Sequence, residues 1–196
     1  ISKLFEMINE TTEEAFNLLE NLLRWTRNQN GKTKIYATLF NLTPVARQVV
    51  SLFSAIANAK EIELINRIEG KFDIFADEDM IKTVLRNLIS NAIKFTYTGG
   101  QVELSLADSG DCWTIYVKDN GKGIPKDLQA HLLKSDEYIT TYGTHNEKGS
   151  GLGLILCRDF IRMNKGKLHF CSQEGIGTTF YFTIPKASSS AEAVSR

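Results

Sequence analysis

The stretch LRNLISNAIKFT, residues 85–96, decides how the rest of this 196-residue sequence is interpreted. In a helix, at about 100° per residue, its apolar side chains gather on one side. Asn87, Asn91 and Lys94 form a separate narrow stripe beside them. Asparagine is a poor helix former, so this placement calls for an explanation. An amide oxygen can bind Mg²⁺, and Lys94 could meet a phosphate. A solvated helix face with accidental amides is the simpler alternative.

The second informative segment is DNGKGIP, residues 119–125, which directly follows a predicted strand. Asn-Gly is typical of a hairpin turn, but a helix start and not a returning strand follows Pro125. Gly121 and Gly123 would let the backbone approach a flat ligand closely. Asp119, at the strand end, can accept a hydrogen bond from an exocyclic amine. A tight turn and a ligand site therefore remain equally good interpretations of this segment alone.

The third segment is KGSGLGL, residues 148–154, which opens a helix. Its glycine spacing departs from the dinucleotide-binding pattern, and it lacks the lysine and hydroxyl pair of a Walker loop. Free N–H groups at a helix N-terminus nevertheless suit a phosphate. A flexible loop before an ordinary helix is the alternative. The polar segment between the two glycine-rich stretches, residues 126–147, predicts a mobile lid. The order of all these segments favours one ligand site over separate accidents.

The rest of the chain predicts a long helix followed by one α/β domain. Residues 1–28 carry an apolar heptad seam, which favours a partner helix over docking on the chain's own domain. In the domain, Asn41 or Thr43 could cap one helix, and Asp77 or Asp79 another that ends near Phe95. A third helix is predicted at residues 152–163. Predicted strands cover residues 62–68, 73–76, 101–107, 112–118, 167–172 and 178–184, with the third and fourth forming a hairpin.

Composition excludes several classes of function. The formal net charge is +0 and no long basic run occurs, so a nucleic-acid-binding surface is not indicated. The three cysteines and three histidines are scattered, which predicts neither a disulfide framework nor a zinc or iron site. No apolar stretch approaches the roughly 20 residues that span a bilayer, so we expect no membrane contact by this chain.

The segments RNLISNAIKFT, DNGKGIP and GSGLGL resemble the N box and two glycine boxes of histidine kinases, within the superfamily that includes gyrase, heat-shock chaperones and MutL. The closing GIGTTFYFTIP, residues 175–185, is similar to the family's last strand motif. The resemblance implies a two-layer α/β sandwich with a mixed, mainly antiparallel sheet and helices on one face, preceded by a long coiled-coil-type helix. It divides the chain into the second helix of a dimerisation domain (1–32), an ATP-binding catalytic domain (35–186) and a frayed tail (187–196).

Carried over position by position, the resemblance implies roles in binding ATP and Mg²⁺. Asn91 matches the Mg²⁺ ligand, and Asn87 stands where related ATPases place a glutamate that activates water. Lys94 and Lys148 would approach the phosphates, and Asn87, Lys94 and Lys148 are the predicted catalytic residues. Asp119 would accept from the adenine amino group. The other nucleotide-binding residues implied by the resemblance are Phe95, Gly121, Gly123, Ile124, Gly149, Gly151, Leu152, Gly153 and Thr178.

The sequence departs from the family in lacking the acceptor histidine box. The resemblance therefore implies a catalytic fragment of a bacterial sensor kinase that cannot phosphorylate itself alone. Its implied partners are ATP, its own dimerisation domain in a homodimer, and the receiver domain of a response regulator. The implied location is the cytoplasm, whether or not the full protein is anchored in the inner membrane. A nucleotide-binding signalling module without catalysis, and an anti-sigma-type serine kinase or ATPase, remain alternatives.

Overall fold

The computed structural model describes residues 35–132, 142–145 and 151–186. The predicted helix at 1–32 and the tail at 187–196 lie outside the described residues. The described elements, in chain order, are β1 (Thr38–Asn41), α1 (Leu42–Ala59), β2 (Glu63–Asn66), β3 (Asp73–Ala76), α2 (Glu78–Phe95), β4 (Gln101–Asp108), β5 (Cys112–Asp119), α3 (Lys126–Gln129), α4 (Gly153–Met163), β6 (Leu168–Gln173) and β7 (Gly177–Pro185).

Five of the strands form one sheet in the order β2–β4–β5–β7–β6. The β2–β4 pair is parallel, and the other three pairs are antiparallel. The predicted hairpin is confirmed as β4–β5. Strands β1 and β3 make a separate two-stranded antiparallel sheet. The main sheet is therefore mixed and mainly antiparallel, as the sequence predicts.

The core lies between this sheet and a single layer of helices. Leu104, Val117 and Phe180 are cross-strand neighbours on one face of β4, β5 and β7, and all three are buried. Tyr116 and Tyr181 alternate to the other face, where they are half-buried and stack with ring centroids 5.5 Å apart. Helices α1, α2 and α4 pack on the buried face. The predicted two-layer α/β sandwich is confirmed.

Local sequence explains where the two long helices begin. Asn41 precedes α1, and its Oδ1 accepts a hydrogen bond from the Thr43 N–H at 3.1 Å. Asp77 precedes α2, and its Oδ1 accepts from the Met80 N–H at 3.1 Å. Each side chain satisfies an N–H group that has no partner within the helix. Of the alternatives left open by the sequence, Asn41 and Asp77 are the caps.

Two elements differ from the prediction. Strand β1 was not predicted, because its four residues pair with β3 more than thirty positions later and carry no alternating pattern of burial. Strand β2 covers Glu63–Asn66 only, within the predicted residues 62–68. Across the described ranges, no helix combines the length and apolar character needed to cross a membrane.

Candidate functional site

The polar stripe on α2 stands as the sequence predicts. Asn87, Asn91, Lys94 and Phe95 are half-buried, whereas the apolar side chains of the same helix are buried against the core. The Asn87 amide nitrogen donates to the Thr83 carbonyl at 2.9 Å, which leaves its Oδ1 facing away from the helix backbone. Within the described ranges, no group hydrogen-bonds to the Asn91 side-chain amide. Its oxygen is therefore available to a ligand.

Asp119 ends β5 as a buried carboxylate. Its Oδ1 accepts hydrogen bonds from the Gly121 N–H at 2.9 Å and the Thr178 N–H at 3.2 Å. Burial raises the pKa of Asp119 to about 6, and these two hydrogen bonds oppose the rise. Thr178 supports Asp119 through its backbone and not through its hydroxyl. The arrangement leaves Oδ2 as the acceptor for a donor on a ligand.

The two glycines after Asp119 are required by close backbone contacts. A side chain at Gly121 would collide with the Phe95 carbonyl at the end of α2. A side chain at Gly123, where φ is +67°, would collide with the Gln173 carbonyl at the end of β6. The Lys122 N–H between them donates to the Phe95 carbonyl at 3.0 Å. The loop is thereby pressed against the end of α2 that carries Lys94 and Phe95.

Ser172 is a supporting residue that the sequence did not indicate. The Ile124 N–H donates to its Oγ at 2.9 Å, and its hydroxyl lies 2.9 Å from the Thr178 hydroxyl. Ser172 therefore joins the glycine loop to the strand behind Asp119. A serine in an alternating strand carries no signal of this role, because its partners lie 48 and 6 positions away.

Helix α4 brings its N-terminus to the middle of α2. Gly151 has a φ of +71°, and Leu152, whose side chain makes no capping hydrogen bond, precedes the helix. A Cβ atom on Gly153 would stand 2.8 Å from the Asn87 Oδ1. The first N–H groups of α4 therefore lie beside the polar stripe without a side-chain cap. Lys148 and Gly149, the other predicted residues of this segment, lie outside the described residues.

Residues 142–145, one of the two described parts of the predicted lid, rest on the C-terminal end of α2. The Thr144 Oγ1 donates to the Lys94 carbonyl at 3.1 Å and to the Thr96 carbonyl at 2.8 Å. Lys122, which the sequence did not single out, donates from Nζ to the Tyr142 carbonyl. The same ammonium lies 4.9 Å from the centre of the Phe95 ring.

The arrangement forms a two-ended site along α2. The Asp119 loop contacts α2 at Phe95, and the α4 N-terminus contacts it at Asn87. Eight residues separate these points, which corresponds to about 12 Å of helix. One end offers a buried carboxylate beside an aromatic ring. The other end offers N–H groups and amides, which suit an anion. The Lys94 ammonium lies 5.4 Å from the centre of the Phe95 ring, at the first end of the site. Among the described side chains, no group of three His, Cys, Asp or Glu comes together to hold a metal.

Comparison with known proteins identifies the family. The profile of the family described as "Histidine kinase-, DNA gyrase B-, and HSP90-like ATPase" matches residues 76–188. The adaptive-response sensory kinase SasA of Crocosphaera subtropica is 28% identical over 94% of this chain and 48% of its own length. The circadian input-output histidine kinase CikA of Synechococcus elongatus is 31% identical over 91% of this chain and 24% of its own.

Solved structures agree with these relatives. The catalytic domain of the histidine kinase ThkA is 31% identical, with a TM-score of 0.66, over 76% of this chain and 95% of its own. The histidine kinase ShkA, solved in complex with AMPPNP, is 25% identical with a TM-score of 0.75, over 95% of this chain and 39% of its own. ThkA in complex with the response regulator protein TrrA is 26% identical with a TM-score of 0.71, over 95% of this chain and 52% of its own.

The chain spans about half or less of the length of SasA and CikA. It covers nearly the whole ThkA catalytic domain, however, and the family profile matches more than half of the chain. The chain therefore belongs to the histidine kinase-, DNA gyrase B- and HSP90-like ATPase family, and its relatives within that family are the catalytic domains of sensor histidine kinases.

Proposed function

We propose that this domain binds Mg-ATP along α2 and transfers the γ-phosphoryl group to a histidine of a dimerisation domain, for relay to an aspartate of a response regulator. The observation that carries the proposal is the two-ended site. Helix α2 contacts the Asp119 loop at Phe95 and the N-terminus of α4 at Asn87. An elongated ligand with a flat base at one end and phosphates at the other fits this division.

The adenine would occupy the end near Asp119. The Asp119 Oδ2 accepts a hydrogen bond from the exocyclic amine, while Oδ1 stays bound to the Gly121 and Thr178 N–H groups. Phe95 borders the ring from α2, and Gly121 and Gly123 keep the backbone free of side chains. Ile124, held by Ser172 at its N–H, adds an apolar contact. Together these contacts select a planar base that carries an amino group.

The phosphates would occupy the end near the N-terminus of α4. The N–H groups of the first turn of α4, which follows Gly151 and Leu152, would donate to the phosphates, and the helix dipole favours their negative charge. Gly153 leaves room beside Asn87. Mg²⁺, which commonly binds through one or two protein oxygens and the phosphates themselves, would be held by Asn91 and would neutralise phosphate charge. We propose that Lys94 reaches the phosphates from α2, from a position where its ammonium lies 5.4 Å from the centre of the Phe95 ring, and that Lys148 and Gly149 add further donors.

Transfer to a protein is favoured over hydrolysis by the chemistry of Asn87. An amide cannot remove a proton from water, so this position supplies no general base. In the transfer, a histidine ring nitrogen attacks the γ-phosphorus, the bond to the bridging β–γ oxygen breaks, and ADP leaves with the electron pair. The contribution of this chain is positioning and electrostatic stabilisation, which dominate phosphoryl transfer.

The relatives support the partners in this proposal. ShkA was solved with AMPPNP and ThkA with the response regulator TrrA. By analogy, we propose that this domain serves a receiver domain and acts within a homodimer that supplies the acceptor histidine. We also propose a cytoplasmic location, where ATP and receiver domains are available. No nucleic-acid or membrane surface enters the proposal.

The test combines this chain with a dimerisation domain that carries the acceptor histidine. With γ-labelled ATP and Mg²⁺, the wild-type chain should label that histidine, and Asn91→Ala should lose the label while still binding adenosine. Asn58→Ala, an exposed amide at the end of α1, is the matched control and should transfer normally. ATP binding without transfer would favour the signalling module without catalysis. Absence of ATP binding would contradict the nucleotide site itself.

A further inference from the structure

A buried polar contact joins the start of α2 to the end of α4. The Asp77 N–H donates to the Asn164 Oδ1 at 2.7 Å, although 87 positions separate the two residues. Asp77 caps α2 and is 8% exposed, and Asn164 follows the last residue of α4 and is 4% exposed. A short hydrogen bond between buried groups has a narrow range of favourable geometries. The contact therefore fixes one end of each helix against the other.

Further hydrogen bonds hold both residues in place beside this contact. The Asn164 amide nitrogen donates to the Phe160 carbonyl at 2.8 Å and to the Met80 sulfur at 3.6 Å. The Asp77 Oδ1 accepts from the Met80 N–H, and its Oδ2 accepts from the Tyr36 N–H at 3.0 Å. The amide nitrogen of Asn164 is thus bonded to α4, and its amide oxygen is bonded to the start of α2.

The two helices run antiparallel, so the opposite end of α4 lies in the site described above. Ten residues separate Asp77 from Asn87 along α2, which is about 15 Å, and eleven separate Asn164 from Gly153 along α4, which is about 16–17 Å. These matched lengths bring Gly153 against Asn87, with no space for a methyl group between them. A shift of α4 along α2 at the Asn164 end would move Gly153 by the same amount.

We propose that Asn164 is a positioning residue that sets the axial register of α4 against α2. It thereby holds the phosphate-binding N-terminus of α4 beside Asn87 and Asn91. The inference rests on the proposed nucleotide site. Along the facing apolar surfaces of the two helices, the described side chains add a weak contact of the Cys157 Sγ with the Val84 carbonyl at 3.9 Å, whereas Asn164 supplies a short hydrogen bond between the two helix ends. Phosphoryl transfer is sensitive to displacements of about 1 Å, so register matters more for phosphates than for the adenine, which the Asp119 loop binds.

The test compares two ligands on the full 196-residue chain by calorimetry. Asn164→Ala should weaken the binding of Mg-ATP by about tenfold, because the phosphates of ATP depend on the placement of α4. The same variant should bind adenosine within about twofold of wild type, since adenosine depends on the Asp119 loop. With the dimerisation domain added, kcat for histidine labelling should fall as well, whereas a loss of ATP binding alone would only raise KM.

Two further variants separate positioning from simple stability. Thr43→Val removes a partly buried hydrogen bond of 2.7 Å to the Gly70 carbonyl, outside the site, and should lower the thermal midpoint without changing the ratio of the two affinities. Asn164→Asp keeps an oxygen that can accept from the Asp77 N–H. It should therefore restore most of the Mg-ATP affinity even though it is less stable than wild type, and it serves as the decisive variant if Asn164→Ala does not fold.

Three results would overturn the inference. If Asn164→Ala weakens the binding of both ligands equally, or of neither, or if Asn164→Asp weakens the binding of both ligands equally, then Asn164 only stabilises the fold. If the wild-type chain binds neither ligand, the proposed nucleotide site fails before the role of Asn164 is tested.

Discussion

One oxygen of the Asp119 carboxylate binds the protein, and the other is proposed to bind the ligand. One substitution tests these separate roles. An asparagine side chain at this position would retain an oxygen for the Gly121 and Thr178 N–H groups but would turn an NH₂ group toward the adenine amine. Asp119→Asn should therefore fold normally and bind ATP about 10- to 100-fold more weakly, the effect of about 1–3 kcal/mol for an unsatisfied buried group. Calorimetry measures the loss, and a thermal midpoint near that of wild type serves as the control. Unchanged affinity would contradict the assigned role.

The same carboxylate predicts a pH dependence of binding. Burial raises the pKa of Asp119 to about 6 in the folded domain. Because the folded domain binds this proton more tightly than the unfolded chain, protonation of Asp119 stabilises the fold at acidic pH. This stabilisation is lost as pH rises through about 6. Binding has the opposite sign, because only the carboxylate accepts from the amine. ATP affinity should therefore fall, by no more than about tenfold per pH unit, as pH drops below about 6.

The pH measurement needs a control because ATP phosphates also titrate. Dissociation constants for wild type and Asp119→Asn should be compared between about pH 5 and 8, a range that brackets the Asp119 pKa. The phosphate titration affects both proteins equally, so the difference between the two curves belongs to Asp119. Parallel curves would show that Asp119 does not titrate in this range or does not contact the base.

At the scale of elements, the C-terminal end of α2 is where three segments meet. The last carbonyls of a helix have no partner within it. The Lys60 Nζ, at the end of α1, donates to the Ile93 and Lys94 carbonyls at 3.0 Å each. The glycine loop binds the Phe95 carbonyl, and Thr144 binds those of Lys94 and Thr96. This helix end therefore links α1, the base-binding loop and residues 142–145 of the predicted lid.

Lys60→Met tests the contribution of this helix cap. Methionine retains the apolar stem but removes the ammonium, so two carbonyls of α2 lose a charged donor in a buried setting. The free energy of unfolding should fall by about 1–3 kcal/mol. Lys82→Met is the matched control, because the Lys82–Glu78 pair lies on the helix surface and should contribute about 0.3–0.5 kcal/mol. Urea denaturation measures both. Similar losses for the two variants would exclude a special role for Lys60.

Elements whose signals are local could be predicted from the sequence, and those whose partners are distant could not. The helix caps and the β4–β5 hairpin each depend on neighbouring residues, so the pattern predicted the hairpin and reduced each cap to two candidates, of which the structure selects Asn41 and Asp77. Strand β1 and the contact between Asp77 and Asn164 depend on partners 30 or more positions away. The stripe at Asn87 and Asn91 was visible because helix periodicity is fixed. The support from Ser172 was invisible because only the folded sheet creates it.

At the scale of the whole molecule, a ligand that spans the site should stabilise the domain. Mg-ATP binds only the folded state, so at one hundred times its dissociation constant it should add about 2.7 kcal/mol and raise the thermal midpoint. Removing Mg²⁺ with EDTA should reduce this rise in wild type. Asn91→Ala should show a smaller rise that EDTA does not change. A rise in the variant that equals wild type and depends on EDTA would place the Mg²⁺ ligand elsewhere.

The helix pair that frames the site also contains a buried thiol. Cys157 in α4 is 0% exposed, and its Sγ lies 3.9 Å from the Val84 carbonyl of α2. Burial raises the pKa of this thiol above its usual value, so its reaction with a disulfide reagent requires exposure first. Cys171 is exposed and should react at once. The rate at which Cys157 is labelled would then report how often the two helices separate in the native protein. Bound nucleotide should lower that rate.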